Sequence, residues 1–104
     1  MSISFSKLGV SPLLVKSLTD SNISTPTEIQ EKAIPVILNQ TDDVVALAKT
    51  GTGKTAAFGL PLLQKIDTEY SAVQVVILAP TREWGQQITA NLETYSKYIP
   101  ELSI

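Results

Sequence analysis

The chain contains no cysteine and no histidine among its 104 residues. Without cysteine, disulfide bonds, cysteine-ligated zinc sites and thiol catalysis are excluded. Without histidine, Ser-His-Asp hydrolysis and imidazole general-base chemistry are excluded as well. Charged residues are also scarce at 17%, whereas hydrophobic residues reach 43%, a composition too apolar for a disordered chain. The length is that of at most one small domain.

An excess of positive charge is absent too, because eight Lys and Arg stand against ten Asp and Glu, for a net charge of −2. This balance gives no general attraction to polyanions, so any contact with nucleic acid must be local. No apolar run approaches the roughly 18–20 residues of a membrane span. The N-terminal residues lack the basic-then-apolar layout of a signal peptide. The sequence therefore predicts a cytoplasmic protein with no membrane partner.

Predicted helices alternate with predicted strands along the chain. Ser11 followed by Pro12 predicts one helix start, and Thr27 followed by Gln30 predicts a second start with a capping box. The remaining predictions are a bend or restart at Pro35, buried strands at 43–48 and 72–79, a helix over about 54–66 that Gly59 and Pro61 interrupt, a turn at 80–82, a helix over about 83–98, and a strand beginning at 102–104. Alternation of this kind is typical of a parallel α/β sheet.

Residues 48–55 have the sequence Ala-Lys-Thr-Gly-Thr-Gly-Lys-Thr, which matches the phosphate-loop pattern. Glycines let successive backbone N–H groups surround a phosphate, and the helix that follows directs its N-terminus at the same anion. Lys54 would place its charge on the β- and γ-phosphates, and the Thr55 hydroxyl is a suitable Mg²⁺ ligand. The pattern, lying between a predicted strand and a predicted helix, predicts nucleotide binding. The alternative is a glycine-rich turn with a chance lysine.

Two further motifs accompany the phosphate loop. Residues 25–30 have the sequence Thr-Pro-Thr-Glu-Ile-Gln, and residues 80–83 have the sequence Pro-Thr-Arg-Glu. With the phosphate loop between them, these motifs make the chain resemble the DEAD-box ATP-dependent RNA helicases, in particular the bacterial RhlE-type members. In that family the first motif is the adenine-recognising Q motif, and Phe5 lies at the spacing of its upstream aromatic residue. The motif at 80–83 is similar to one that contacts the RNA backbone.

The resemblance covers nearly the whole chain and implies the N-terminal part of the first RecA-like domain. The implied fold is a phosphate-loop NTPase (RecA-like) parallel α/β sheet with flanking helices, incomplete in this chain. Residues 1–40 would form an adenine-recognition helical region, and residues 41–104 would carry the phosphate loop and the RNA-contact motif. The parent protein would use ATP and Mg²⁺ to unwind or remodel RNA duplexes. No Asp-Glu-Ala-Asp sequence is present, so the chain itself is expected to bind nucleotide without meaningful hydrolysis.

The same resemblance assigns roles to individual residues. Gln30 would pair with the adenine edge, Phe5 would stack on the base, and Thr55 would be the metal ligand. The implied catalytic residues are Lys54 and Thr55. The implied nucleotide-binding residues are Phe5, Thr25, Gln30, Ala48, Thr50, Gly51, Thr52, Gly53, Lys54 and Thr55. The implied RNA-binding residues are Pro80, Thr81 and Arg82. Without the resemblance, Gln30 is a capping residue, Phe5 packs on the first helix, and Arg82 forms a surface ion pair with Glu83.

Several residues depart from the family pattern, among them Lys49, which stands at a variable position where glutamine is common. Asn22 stands where glycine is usual, and because asparagine tolerates left-handed backbone angles, we expect little effect. Trp84 and Gly85 stand where the family has Leu and Ala. A larger side chain at a buried position predicts overpacking, which typically costs about 1–3 kcal/mol. We expect Gly85 to offset part of this by leaving room for the indole.

The predicted strands at 43–48 and 72–79 would lose neighbours that later sequence supplies in the family. Unpaired strand edges favour association, so we expect self-association through these strands or a rearranged sheet. Two other functions stay open on the sequence alone. One is a different phosphate-loop NTPase, such as a small-molecule kinase. The other is a non-catalytic module that binds a nucleotide or a partner protein.

Overall fold

The computed structural model describes residues 4–39, 43–45 and 53–104. Its elements are a 3-10 helix at Ser6–Leu8 and the helices α1 (Pro12–Asp20), α2 (Glu28–Asn39), α3 (Lys54–Lys65) and α4 (Arg82–Tyr95). The four predicted helices are therefore confirmed, and α4 ends three residues before the predicted boundary. Within these described ranges, no helix is long and apolar enough to cross a membrane.

Helix starts follow local signals in the sequence. The Thr27 N–H donates to Gln30 Oε1 at 2.9 Å and the Gln30 N–H donates to Thr27 Oγ1 at 3.4 Å, which confirms the predicted capping box of α2. Ser11 occupies the N-cap of α1, although its side chain makes no capping hydrogen bond. Thr81 caps α4 by accepting from the Trp84 N–H at 3.2 Å. The residues predicted as a turn thus include both the cap and the first residue of α4.

The predicted interruption of α3 at Gly59 and Pro61 is wrong, and α2 does not restart at Pro35, whereas the predicted bend there stays a prediction. Both helices continue through their prolines, Pro35 and Pro61. Pro61 is fully buried, so its packing offsets the backbone hydrogen bond that proline cannot donate. Gly59 serves the packing of α3 against α4, because a Cβ added there would lie 2.7 Å from Leu92 Cδ2. A side chain at this position would hold the two helices further apart.

The end of α1 confirms the expectation for Asn22. This residue has φ = 62°, in the left-handed region. Its N–H donates to the Thr19 carbonyl at 3.0 Å, and the Ile23 N–H donates to the Leu18 carbonyl at 2.9 Å. These bonds form a Schellman motif, in which a left-handed residue follows the helix C-cap. Asparagine therefore performs the conformational task that glycine usually performs here.

No described residue lies in a strand, which corrects the strand predictions for residues 43–45, 72–79 and 102–104 in this structure. Val45 is 87% exposed, and the part of the first predicted strand from residue 46 lies outside the described residues. In the segment 73–79, half-buried residues alternate with exposed residues such as Leu78, which is 90% exposed. Only one side of this segment is partly covered, so the prediction that residues 72–79 are buried is wrong. An apolar run becomes a strand only when a neighbouring segment pairs with its backbone.

The overpacking expected at Trp84 is also wrong. The side chain is 49% exposed, so its bulk extends into solvent instead of the core. Gly85 is not needed as a space for a buried indole. A Cβ added at Gly85 would find Ala79 Cβ at 3.9 Å, an ordinary van der Waals contact. The first turn of α4 therefore accepts both departures from the family pattern without strain.

The apolar core lies among the four α-helices. Helix α2 packs against α3, and α4 packs against both α3 and α1. The core consists of Phe5, Leu8, Val10, Leu14, Leu18, Ile34, Ala56, Leu60, Leu63, Leu92 and Tyr95. This packing fixes α2 beside the start of α3, and so places the first sequence motif next to the end of the phosphate loop.

Candidate nucleotide and RNA site

Gln30 and Gly53 are in direct contact although 23 residues separate them. Gln30 Nε2 donates to the Gly53 carbonyl oxygen at 3.2 Å, while Gln30 Oε1 accepts from the Thr27 N–H. A backbone N–H can only donate and a carbonyl can only accept, so these two partners fix the orientation of the side-chain amide. The structure therefore joins the last residue of the 25–30 motif to the end of the phosphate loop.

Gly53 needs to be glycine for two independent reasons. Its φ of 84° lies in the left-handed region, which side chains disfavour. A Cβ at this position would also lie 2.4 Å from Gln30 Nε2 and 3.4 Å from Thr27 Cγ2. Backbone conformation and the close approach of α2 thus impose the same residue type.

The Gln30 amide keeps unused hydrogen-bonding capacity. Each side-chain amide offers two N–H donors and two acceptor lone pairs, and the contacts to Thr27 and Gly53 use one of each. The remaining donor and lone pair are the groups that an adenine N6/N7 edge requires. Capping and adenine recognition are therefore compatible roles for one side chain. Only 4% of Gln30 is exposed, so pairing with an adenine edge would require the amide to be uncovered, and that role stays a prediction.

The start of α3 is electrostatically suited to an anion. Gly53 provides no side-chain cap, and the first turn contains no acidic residue. Among the described residues, neither a side-chain cap nor a first-turn carboxylate neutralises the positive end of this helix dipole. Lys54 is exposed and Thr55 is half-buried at this end. The other predicted phosphate-loop residues, Ala48, Thr50, Gly51 and Thr52, lie outside the described residues.

Thr55 fits Mg²⁺ only as one ligand among several. In the described part of the chain, no cluster of three or more Asp, Glu or His side chains could hold a metal ion. Mg²⁺ commonly keeps several waters and binds through substrate phosphates as well as one or two protein oxygens. The Thr55 hydroxyl at the start of α3 is suited to that arrangement. A metal site built entirely by protein groups is not formed by the described residues.

Phe5 occupies a different environment from the one the adenine role implies. It is 2% exposed and belongs to the same buried cluster as Leu14 and Leu18 of α1. The alternative interpretation, packing on the first helix, therefore describes this structure. Stacking on adenine would require the ring to be uncovered, and that role stays a prediction. Thr25 is exposed on the loop before α2.

The predicted RNA-contact residues lie together at the start of α4. Pro80, Thr81 and Arg82 are all exposed. Arg82 also lines a groove of about 710 Å³ between α3, α4 and the segment 75–79. Arg82 and Glu83 are both described, and no ion pair joins them, so the alternative pairing of Arg82 with Glu83 is not formed. An exposed guanidinium beside a helix N-terminus is suited to a phosphate.

A polar cluster that no motif signalled connects the end of α1 to the chain after α4. The Tyr98 hydroxyl donates to Asp20 Oδ2, and Lys97 Nζ lies 3.1 Å from the same oxygen. Lys16 Nζ lies 4.4 Å from the centre of the Tyr98 ring. Because 78 residues separate Asp20 from Tyr98, no local sequence pattern could have indicated this contact. The cluster holds the residues that follow α4 against the C-terminal end of α1.

This cluster makes the free energy of unfolding depend on pH in the acidic range. The hydrogen bonds from Tyr98 and then Lys97 hold the pKa of Asp20 below its ordinary value of 3.8. The contribution of Asp20 to the free energy of unfolding is therefore fully present above the pKa that its carboxyl has in the unfolded state. This contribution is lost as the pH falls through the pKa of the folded state. We expect Asp20→Asn to lower the urea midpoint at pH 7, with a difference from wild type that shrinks below about pH 4. A difference that stays constant down to pH 2 would contradict this assignment.

Comparison with known proteins identifies relatives along most of the chain. The family model described as "DEAD/DEAH box helicase" matches residues 27–104. The Escherichia coli (strain K12) protein "ATP-dependent RNA helicase DeaD" is 41% identical over 100 residues, which cover 96% of this chain and 16% of that protein. The Limosilactobacillus reuteri protein "ATP-dependent RNA helicase CshA" is 45% identical over 93 residues, which cover 89% of this chain and 18% of that protein.

Solved structures show the same likeness in three dimensions. The structure titled "S. cerevisiae Dbp5 bound to RNA and ADP BeF3" matches with a TM-score of 0.87 and 35% identity, covering 91% of this chain and 25% of that one. A DEAD box protein from the hyperthermophile Methanococcus jannaschii matches with a TM-score of 0.84 and 33% identity, over 91% and 26% of the two chains. The chain spans about a sixth of these curated relatives and about a quarter of the solved chains.

Proposed function

Because the chain belongs to the DEAD/DEAH box helicase family, we propose that it is an ATP-binding part of an ATP-dependent RNA helicase that unwinds or remodels RNA duplexes. The contact between Gln30 and the Gly53 carbonyl carries this proposal. It joins a polar group with free adenine-pairing capacity to the helix start where a phosphate would bind. A nucleotide with adenine at one end and phosphates at the other matches both ends of this arrangement.

The residues at the start of α3 have distinct proposed roles. Lys54 places its charge on the β- and γ-phosphates, and the uncapped N–H groups of the helix hold the same anion. The Thr55 hydroxyl is one ligand of the Mg²⁺ that accompanies the nucleotide, and that ion neutralises phosphate charge when bound. Hydrolysis needs further groups, among them an acidic metal-holding residue and a residue that orients water. We therefore propose that the 104-residue chain binds nucleotide without meaningful hydrolysis.

RNA contact is proposed for the exposed group Pro80, Thr81 and Arg82. The yeast structure that matches this chain is bound to RNA and ADP BeF3, as its title states. In this chain the Arg82 guanidinium and the start of α4 are exposed, and both are suited to phosphate oxygens. Contacts of that kind position a strand without selecting its sequence. The proposed partner is therefore an RNA backbone.

Three narrower expectations stay predictions. Membership of the RhlE type is one, and the relatives described above carry the names DeaD and CshA. A cytoplasmic location is the second, and it rests on the sequence alone. The third is self-association, for which the exposed side chains of Val73, Val76 and Leu78 provide an apolar surface.

Titration calorimetry with ADP and GDP in the presence of Mg²⁺ tests the proposed function. We expect wild type to bind ADP at least about tenfold more tightly than GDP, because a good two-point base contact contributes about 1–3 kcal/mol of discrimination. Gln30→Glu keeps an acceptor for the Thr27 N–H but loses the amide donor, so it should remove most of this preference. Thr27→Ala, which weakens the capping box and keeps the Gln30 amide, is the matched control and should retain it.

The two alternative functions predict different results. Equal binding of ADP and GDP by wild type would contradict adenine recognition and favour another phosphate-loop NTPase. No binding of either nucleotide would favour a non-catalytic module that binds a partner protein. Loss of the preference in Thr27→Ala to the same degree as in Gln30→Glu would assign Gln30 a capping role only.

A further inference from the structure

Trp84 places a large aromatic surface in contact with solvent in the first turn of α4. Its side chain is 49% exposed, whereas the other aromatic residue of this helix, Tyr95, is 8% exposed and belongs to the core. Packing within the chain therefore accounts for only part of the indole surface. Because the family pattern has leucine at this position, the role of the indole has to be inferred from its surroundings in this chain.

The cap of α4 fixes the position of residue 84. Thr81 is the N-cap, and its side-chain oxygen accepts from the Trp84 N–H at 3.2 Å. Residues three positions apart share one face of a helix, and helical side chains lean towards the N-terminus. This geometry directs the indole towards the exposed residues Pro80 and Thr81. Trp84 thus adjoins the proposed RNA-contact residues, although it is not one of them.

Arg82 occupies the other side of the same helix end. It lines the groove between α3, α4 and the segment 75–79 together with Gly85 and Gln86, and Trp84 is not among the described residues that line this groove. The start of α4 therefore presents a guanidinium on one side and a flat aromatic face on the other. A nucleotide of a single strand has the same two parts, a phosphate and a flat base.

Charge alone gives this surface little affinity for a polyanion. Glu83 directly follows Arg82 in the first turn of α4, so their formal charges cancel, and the whole chain has a net charge of −2. The electrostatic part of nucleic-acid affinity grows with the number of phosphates that Lys and Arg neutralise. One base stacked on an aromatic ring strengthens binding by about tenfold or more, without any charge. Stacking is therefore the larger contribution available at this surface.

We propose that Trp84 is a base-stacking residue of the RNA-contact surface, and that this surface prefers RNA with unpaired bases. The proposal rests on the proposed function, because it concerns the surface formed by residues 80–82. Bases inside a duplex are covered on both faces by their neighbours, so the indole reaches only a base that is unstacked. Every base has a flat face, so this contact is independent of sequence. The substrate class is single-stranded RNA.

The test compares two oligomers of equal charge on the full 104-residue chain, by titration calorimetry at low salt. One is an oligouridylate of about ten nucleotides, and the other is an abasic ribose-phosphate chain of the same length. Uridine lacks the adenine edge that Gln30 would recognise, which keeps the nucleotide site out of the measurement. We expect wild type to bind the oligouridylate about tenfold more tightly than the abasic chain.

Two substitutions of Trp84 measure the contribution of the ring. Trp84→Leu restores the side chain that is usual in the family and removes the flat face. We expect it to reduce the ratio of oligouridylate to abasic affinity to less than about twofold. Trp84→Phe keeps a smaller aromatic face, so it should retain part of the preference.

Two further variants serve as controls. Arg82→Gln removes a proposed phosphate contact, so it should weaken the binding of both oligomers by the same factor and leave their ratio unchanged. Tyr70 is 61% exposed in the loop between α3 and the segment 73–79. Tyr70→Leu removes a comparably exposed ring away from the start of α4, and we expect the wild-type ratio.

The outcomes separate the two proposals. If wild type binds neither oligomer, the proposed RNA contact fails and the stacking role fails with it. If wild type binds both oligomers equally, or if Trp84→Leu keeps the wild-type ratio, RNA contact stands and the stacking role is overturned. If circular dichroism shows that Trp84→Leu is unfolded, Trp84→Gln decides by the same ratio. An equal loss of the ratio in Tyr70→Leu would also overturn the assignment to Trp84.

Discussion

Replacing Gly53 with alanine is expected to weaken ADP binding by about 100-fold. The left-handed backbone of Gly53 costs any other residue about 1–2 kcal/mol. The added Cβ would lie 2.4 Å from Gln30 Nε2, so it also displaces the side chain that holds this end of α3. Loss of a hydrogen bond adds about 1 kcal/mol, and every 1.4 kcal/mol corresponds to a factor of ten. Calorimetric titration with ADP measures the change directly.

A second variant separates the two causes at Gly53. In a Gln30→Ala background the steric conflict disappears and only the backbone strain is left. Gly53→Ala should therefore weaken ADP binding by a smaller factor in the Gln30→Ala background than in wild type. Gly85→Ala serves as the control for a helical glycine, because an added Cβ there makes only an ordinary contact. An ADP affinity unchanged by Gly53→Ala would show that the end of the phosphate loop takes no part in binding.

Replacing Leu14 with alanine is expected to cost about 2–5 kcal/mol in the free energy of unfolding. Leu14 is 0% exposed and belongs to the apolar core between the helices. Removing three carbons leaves a cavity that the surrounding side chains fill only in part. Urea unfolding followed by circular dichroism measures this change. A loss of this size is a large part of the total stability of a small domain, which is commonly about 5–15 kcal/mol.

The adjacent residue supplies the matched control for Leu14. Leu13 lies on the same helix, has the same side chain, and is 47% exposed. We expect Leu13→Ala to change the free energy of unfolding by about 0.5 kcal/mol or less. Equal effects at the two positions would contradict the orientation of α1 in this structure.

Local features of the fold could be predicted because their causes lie within a few residues. The capping box at Thr27 and Gln30 needs only a hydroxyl and an amide three residues apart. The left-handed turn at Asn22 likewise follows from the conformational range of asparagine. The start of α1 at Pro12 is a third example, since proline suits the first turn of a helix. In each case the residues that interact lie within a few positions of each other in the sequence.

Features that depend on distant partners could not be predicted. Burial of Trp84 was expected from its position in a motif, but exposure is decided by what other segments cover. The apolar run at 73–79 has the composition of a strand, yet strand formation requires a pairing segment that the described residues do not supply. The hydrogen bond between Tyr98 and Asp20 joins positions 78 residues apart. Composition and spacing carry no information about such contacts.

In the candidate site too, local features could be predicted from the sequence, whereas contacts between distant residues could not. The phosphate-loop pattern placed Gly53, Lys54 and Thr55 at a helix start, and the structure confirms that α3 begins there. The pattern did not indicate that Gln30 reaches Gly53, because that contact depends on how α2 packs against α3.

The half-exposed indole of Trp84 has a practical consequence for spectroscopy. It is the sole tryptophan of the chain, so intrinsic tryptophan emission comes entirely from the first turn of α4. The indole lies two residues from Arg82 and is open to soluble quenchers, since about half of it is exposed. The protein therefore carries a built-in optical reporter at the proposed RNA-contact surface, and no dye needs to be attached to it.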